Sequence, residues 1–147
     1  MINKKKPYVF CTFLLLLLML GSLSVQAIEL VQGSQYLKMI SLCKDVEEKE
    51  PIFETKYFSI SDEKAVCWIR FNYSSSEIFE ITWEWEDPSG NIYHNGKLEM
   101  EPGNYQNYRT WYEIGIKDHY ARNLPGNWRV RVYLGDFVVA IKDFTIY

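Results

Sequence analysis

The chain predicts an all-β domain built from two packed antiparallel sheets of about seven strands. Three observations carry that expectation. Apolar residues recur with a period of two rather than 3.6, in short stretches. Gly, Pro, Asn, Asp and Ser interrupt those stretches every 8 to 12 residues or so. Large aromatic and β-branched side chains fill the alternating positions, as a half-buried pleated surface favours.

The elements follow in chain order. Ala65, Cys67, Ile69, Phe71 and Tyr73 form one apolar row that alternates with Val66, Trp68, Arg70 and Asn72, and Ser74-Ser75-Ser76 ends it. Phe79, Ile81, Trp83 and Trp85 form the next row, opposite Glu80, Thr82, Glu84 and Glu86. Asp87-Pro88-Ser89-Gly90 supplies a turn, because Pro presets φ at its second position and Gly relieves its last. Asn91 to Tyr93 returns as a strand, with Lys97 to Glu101 continuing after a kink at His94-Asn95-Gly96. Past a loop around Pro102-Gly103-Asn104, Tyr112, Ile114 and Ile116 alternate with Trp111, Glu113 and Gly115. Lys117 to Asn123 and parts of Glu29 to Met39 have room for a helical turn or two. Trp128, Val130, Val132 and Leu134 alternate with Arg129, Arg131 and Tyr133 before a two-residue Gly135-Asp136 turn. The return strand places Phe137, Val139 and Ile141 inward, then Phe144 and Ile146 with changed parity, which predicts a bulge near Lys142-Asp143.

Ahead of these elements, Met1 to Ala27 has a basic start at Lys4 to Lys6, an apolar run from Val9 to Leu20 and a Val25-Gln26-Ala27 ending. This is the three-part pattern of a secretory signal peptide. Its apolar run falls short of the roughly 20 residues of a membrane span. The expectation is an exported chain, periplasmic or extracellular, with no stable membrane span after cleavage; an anchor kept uncleaved is the alternative. Residues 28–147 then form a single domain, of which 28–50 are expected to be partly irregular. Losing three lysines takes the formal charge from −3 to −6. That size and sign exclude a multidomain enzyme, a polytopic membrane protein and a generally basic nucleic-acid binder.

Trp83-Glu84-Trp85-Glu86-Asp87-Pro88-Ser89-Gly90-Asn91-Ile92-Tyr93, Pro125-Gly126-Asn127-Trp128-Arg129-Val130-Arg131-Val132-Tyr133 and the closing Phe144-Thr145-Ile146 together carry a resemblance. From roughly Thr55 to Tyr147 the chain resembles small exported bacterial immunoglobulin-like sandwich domains of unknown function. The resemblance implies an immunoglobulin-like antiparallel β-sandwich and no particular activity. Antibody-type domains bridge their second and sixth strands by a disulfide, whereas the sixth strand here, Trp128 to Leu134, has no cysteine.

Cysteine usage points the same way as the leader. Cys11 departs with the signal peptide, and the remaining even pair, Cys43 and Cys67, is expected to form one disulfide in an oxidising compartment. Closing that loop would stabilise the fold by about 3 kcal/mol on the chain-entropy account. The spacing is neither Cys-x-x-Cys nor accompanied by a histidine, so a redox or metal role is not expected.

Chemistry is sparse. His94 and His119 are the only histidines, and neither lies beside a Gly-x-Ser-x-Gly elbow or a metal-ligand spacing. No catalytic residue, metal ligand or cofactor is expected. Glu80, Glu84 and Glu86 are expected to pair across strands with Arg129 and Arg131. Asp87, Ser89 and Asn91 read as turn residues rather than the start of a calcium loop, whose later glycine and glutamate are missing.

What remains is an aromatic surplus: 21 aromatics in the 120 residues after Ala27. Trp68 and Trp111 fall on the polar parity of their strands. If those strands are neighbours, the two indoles share an outer face with Arg70, Arg109 and Glu113, unless residues 29–39 or the Tyr105 to Tyr108 loop cover them. The expected function is therefore a noncatalytic binding or interaction module of the cell envelope, recognising a protein or assembly partner through a sheet face or loops. The alternative is a carbohydrate-binding module that uses exposed tryptophans.

Overall fold

The computed structural model describes residues 31–147. The leader, with Cys11, lies outside the described residues. Among the described residues nine strands form: β1 (Leu37–Glu47), β2 (Glu50–Glu54), β3 (Tyr57–Phe58), β4 (Lys64–Ser75), β5 (Phe79–Glu86), β6 (Ile92–Met100), β7 (Gly103–Gly115), β8 (Gly126–Leu134) and β9 (Phe137–Ile146). One turn of 3₁₀ helix, Tyr120–Asn123, stands between β7 and β8. The first sheet runs β2-β1-β4-β7 and the second β3-β9-β8-β5-β6. All pairings are antiparallel except β3 with β9.

The two sheets close on a core to which alternation assigned the right faces in β5 and β8. Phe79, Ile81, Trp83 and Trp85 are buried, as are Trp128, Val130, Val132 and Leu134. Ala65, Cys67, Ile69, Phe71 and Ile114 meet them from the first sheet. Aromatic edges interlock through the interior: Trp85 and Phe58 both meet Phe144 edge-on, and Tyr93 meets Trp128 the same way.

Several elements differ from expectation. The described residues contain nine strands rather than about seven, the N-terminal part contributing the eleven-residue β1 after an irregular stretch at 31–36, and then β2. The irregularity expected at His94-Asn95-Gly96 falls at Tyr93, where the register slips from His94 opposite Trp85 to Ile92 opposite Glu86, and the strand continues through Gly96. Gly96 serves packing instead, since a Cβ there would lie 2.3 Å from the Tyr112 ring. The parity slip in β9 falls at Val139, not at Lys142-Asp143: Val132 pairs with Ala140 but Tyr133 with Val138. Val139 and Ala140 are consequently both buried, and Phe137, expected inward, is 37% exposed. Gly135, with φ of 55°, makes the tight β8–β9 turn.

The Cys43–Cys67 disulfide is not formed, and both thiols are free and buried. Cys43 pairs with Val66, and Cys67 pairs with Leu42. Neighbours offset by one residue point to opposite faces. Cys43 accordingly packs with Val66 and Trp68 on the outer side, while Cys67 joins the sandwich core. Side chains aimed apart by a sheet's thickness cannot be bridged without moving the backbone.

The charged rows on the second sheet pair partly as expected. Glu84 faces Arg131 and Glu86 faces Arg129 in register. Arg131 Nη1 meets the carboxylates of Glu86 (2.6 Å) and Glu84 (3.5 Å). Arg129, in contrast, turns to Asp143 on β9 (2.7 Å), and Glu80 to Lys97 on β6 (2.8 Å).

Candidate functional site

The outer face of the first sheet is ordered by the register of three strands. Trp68 and Trp111 are direct partners on β4 and β7, with Ser41 of β1 on the far side of Trp68. Met39, Arg70 and Arg109 make the next row, and Cys43, Val66 and Glu113 the row on the other side. The two indoles, Arg70, Arg109 and Glu113 thus share one face, as parity suggested.

That face is not open along its length. Between β1 and β2 the chain turns through Glu48 and Lys49, both with positive φ (50° and 66°). Such a two-residue turn matches strand twist but suits Asn-Gly better than Glu-Lys. The tip bends over β4: Trp68 Nε1 donates to the Lys49 carbonyl (2.9 Å), and Arg109 Nε meets the Glu50 carboxylate (3.1 Å). The Tyr105 to Tyr108 stretch is part of β7, Glu29 and Leu30 lie outside the described residues, and the tip at Lys49 makes this contact. Trp68 is wholly buried by it, and its place as an exposed binding residue is corrected accordingly.

What stays accessible lies toward β7. Trp111 is 37% exposed, with Arg109 and Glu113 flanking it. A groove of about 390 Å³ separates Lys49 at the hairpin tip from Gln106 to Trp111. A bulge widens β7 there: the register slips between Phe71 and Tyr73, Asn107 has φ of 50°, and its N–H donates to the Asn72 side chain (2.7 Å). Arg70 Nε is buried with no hydrogen-bond partner among the described residues. Lys64 joins Asp45 and Glu113 (3.0 and 2.9 Å), and its hydrogen bond holds the Asp45 carboxyl below the usual range.

Other features have structural uses. His94 stacks on Tyr112, its Nε2 3.1 Å from the phenol oxygen, on a strand rather than in a turn. His119 packs over Gly115, where a Cβ would fall 2.1 Å from the ring. Asp87 accepts hydrogen bonds from the Ser89 and Asn91 N–H groups, which makes the turn after β5 self-capped. A larger open depression of about 680 Å³ on the second sheet, bordered by Tyr57, Asp87, Asn127, Arg129 and Asp143, escaped sequence reasoning. One wall comes from β3 beside β9, and a two-residue strand leaves no periodic signal.

No family model matches the chain, and no curated protein does. Among solved structures, an immunoglobulin-like protein from Pseudomonas aeruginosa is similar over 78% of this chain and 100% of its own, at a TM-score of 0.53 and 16% identity. Weaker likenesses are an alkylpurine DNA glycosylase of Pseudomonas fluorescens bound to abasic-site DNA (TM-score 0.45, 10% identity, 79% of this chain and 31% of that one) and an Arabidopsis thaliana protein solved in solution (TM-score 0.32, 18% identity, 76% and 73%). The likeness to the Pseudomonas aeruginosa protein, with the two-sheet topology, shows an immunoglobulin-like β-sandwich fold. It carries the fold and no activity.

Proposed function

We propose that this protein is a noncatalytic interaction module of the cell envelope that docks a protein partner on the Trp111 end of its first sheet. The carrying observation is that the hairpin seals Trp68 but leaves Trp111 exposed beside a groove bordered by Lys49, Asn107 and Arg109. An aromatic anchor next to a guanidinium and a bulged strand suits a protein contact, in which a few large side chains supply most of the binding. Export rests on the Met1 to Ala27 pattern.

Carbohydrate recognition is the second reading, and Trp111 keeps it in play as a stacking surface. It is weaker than the sequence suggested, because one of its two indoles is covered. Affinity capture from envelope extracts, wild type against Trp111→Ala, tests the first reading: the partner is expected to be lost with the variant, and a partner retained at full yield would overturn it. A shift of tryptophan emission on titration with polysaccharide fragments, absent in Trp111→Ala, would transfer the site to the second reading.

A further inference from the structure

β7 ends the first sheet and hydrogen-bonds to β4 on one side only. A free strand edge presents a row of backbone donors and acceptors to any chain that can pair with it. Two of the other three edges are interrupted or short. β2 contains Pro51 and has Phe53 at φ of 54°, and β3 has two residues. β7, by contrast, runs regularly from the bulge at Asn107 to its end at Gly115.

The side chains along that stretch are self-complementary about its centre. In an antiparallel pair of identical strands with the two-fold axis at Trp111, each Arg109 falls opposite Glu113 of the second copy, and each Thr110 opposite Tyr112. Tyr108 falls opposite Ile114, and the two indoles meet each other. Arg109 and Glu113 lie on the outer face with 39% and 46% of their side chains exposed, so each keeps surface for a second contact beyond Glu50 and Lys64. The axis also bisects the regular stretch, with bulge and strand end equally distant from it. β6 contains a shorter pattern of this kind, Lys97 and Glu99 about Leu98. Its two-fold would pair only residues 96–100 before the strand ends.

We infer that β7 is a homodimerisation edge, pairing antiparallel with β7 of a second copy in register at Trp111, so that two four-stranded sheets become one of eight. Such an isologous contact closes on itself and does not propagate into fibres. This goes beyond the docking proposed above, and its readout needs no envelope partner.

The test uses purified protein in sedimentation and light scattering, with circular dichroism to confirm folding of each variant. A concentration-dependent dimer is expected. Arg109→Glu alone and Glu113→Arg alone each create two like-charge oppositions and are expected to weaken it at least tenfold, while the double variant, again complementary, restores it. Register is tested by cysteine cross-linking in protein carrying Cys11→Ser, in which the remaining native thiols, Cys43 and Cys67, are buried and give a clean background. Trp111→Cys brings the two introduced thiols to about 5 Å between Cβ atoms and is expected to cross-link on mild oxidation. Glu113→Cys separates them by about 14 Å along the strand and is expected to remain uncoupled. A monomer at all concentrations, a dimer indifferent to both single charge reversals, or equal cross-linking at the two positions would overturn the inference.

Discussion

Cys43 and Cys67 are neighbours along β1 and β4 and strangers through the sheet, which decides their chemistry. Burial pushes the Cys43 thiol up from 9.0 to about 11, and Cys67, deeper in the core, higher still. A thiol so raised is a poor nucleophile at neutral pH. Both are therefore expected to resist a thiol reagent in the native protein at pH 8 and to react once the protein is unfolded in urea; mass spectrometry finding a Cys43–Cys67 bridge would contradict this. The same shifts set a pH dependence. Between pH 9 and about 11 the unfolded thiols lose protons that the folded ones keep, so stability is complete below pH 9 and falls as pH rises through that window. Urea melts at pH 8 and 10.5 check this, and Cys43→Ala is expected to flatten the fall. Trp68 is the largest side chain under the hairpin, and Trp68→Ala is expected to cost about 3–5 kcal/mol in the same assay.

At the scale of elements, the β1–β2 hairpin holds its fold against local preference. Glu48 and Lys49 occupy left-handed backbone that Asn and Gly adopt with less strain. Replacing the pair by Asn-Gly is expected to stabilise the protein by about 1 kcal/mol, read as a higher urea midpoint at unchanged slope. Gly96→Ala should act oppositely, by about 1–3 kcal/mol, since its new methyl collides with Tyr112. Combined with Tyr112→Ala, its effect is expected to be less than the sum of the two. These same elements mark the limit of what was legible. Strands β5 and β8 could be assigned to the core from alternation alone, because each has one face inward for its whole length. Parity also put Trp68 and Trp111 on one face, but it carries no information about a hairpin folding back from elsewhere in the chain. The tip has no Gly to announce it, and nothing in residues 137–143 fixes the bulge at Val139 rather than three residues later. The expected disulfide came from counting cysteines, whereas its absence comes from the β1–β4 register, a long-range property.

For the whole molecule, the sandwich is closed by contacts between distant parts of the chain. β1 pairs with β4, β4 with β7, and Tyr57 with Thr145. The charges pair mostly near the surface, through contacts such as Lys97–Glu80 and Lys117–Glu63. Exposed pairs of this type are worth little each and are screened by salt. Raising sodium chloride to 1 M is therefore expected to shift the melting temperature only slightly, by about 3 °C or less; a collapse of stability would mean that the ion pairs, and not the aromatic core, hold the sheets together.

The placement of β9 has a consequence for how the chain comes into being. It is the last of the described strands in chain order, yet it lies inside the second sheet between β3 and β8 and brings Ala140, Phe144 and Ile146 to the interior. Until residues 137–146 emerge, β3 has nothing to pair with and β8 has an open side. Cotranslational folding, which ordinarily proceeds from the N-terminus, must here wait for the closing strand. A chain built this way holds its first sheet without a finished partner until residues 137–146 are in place.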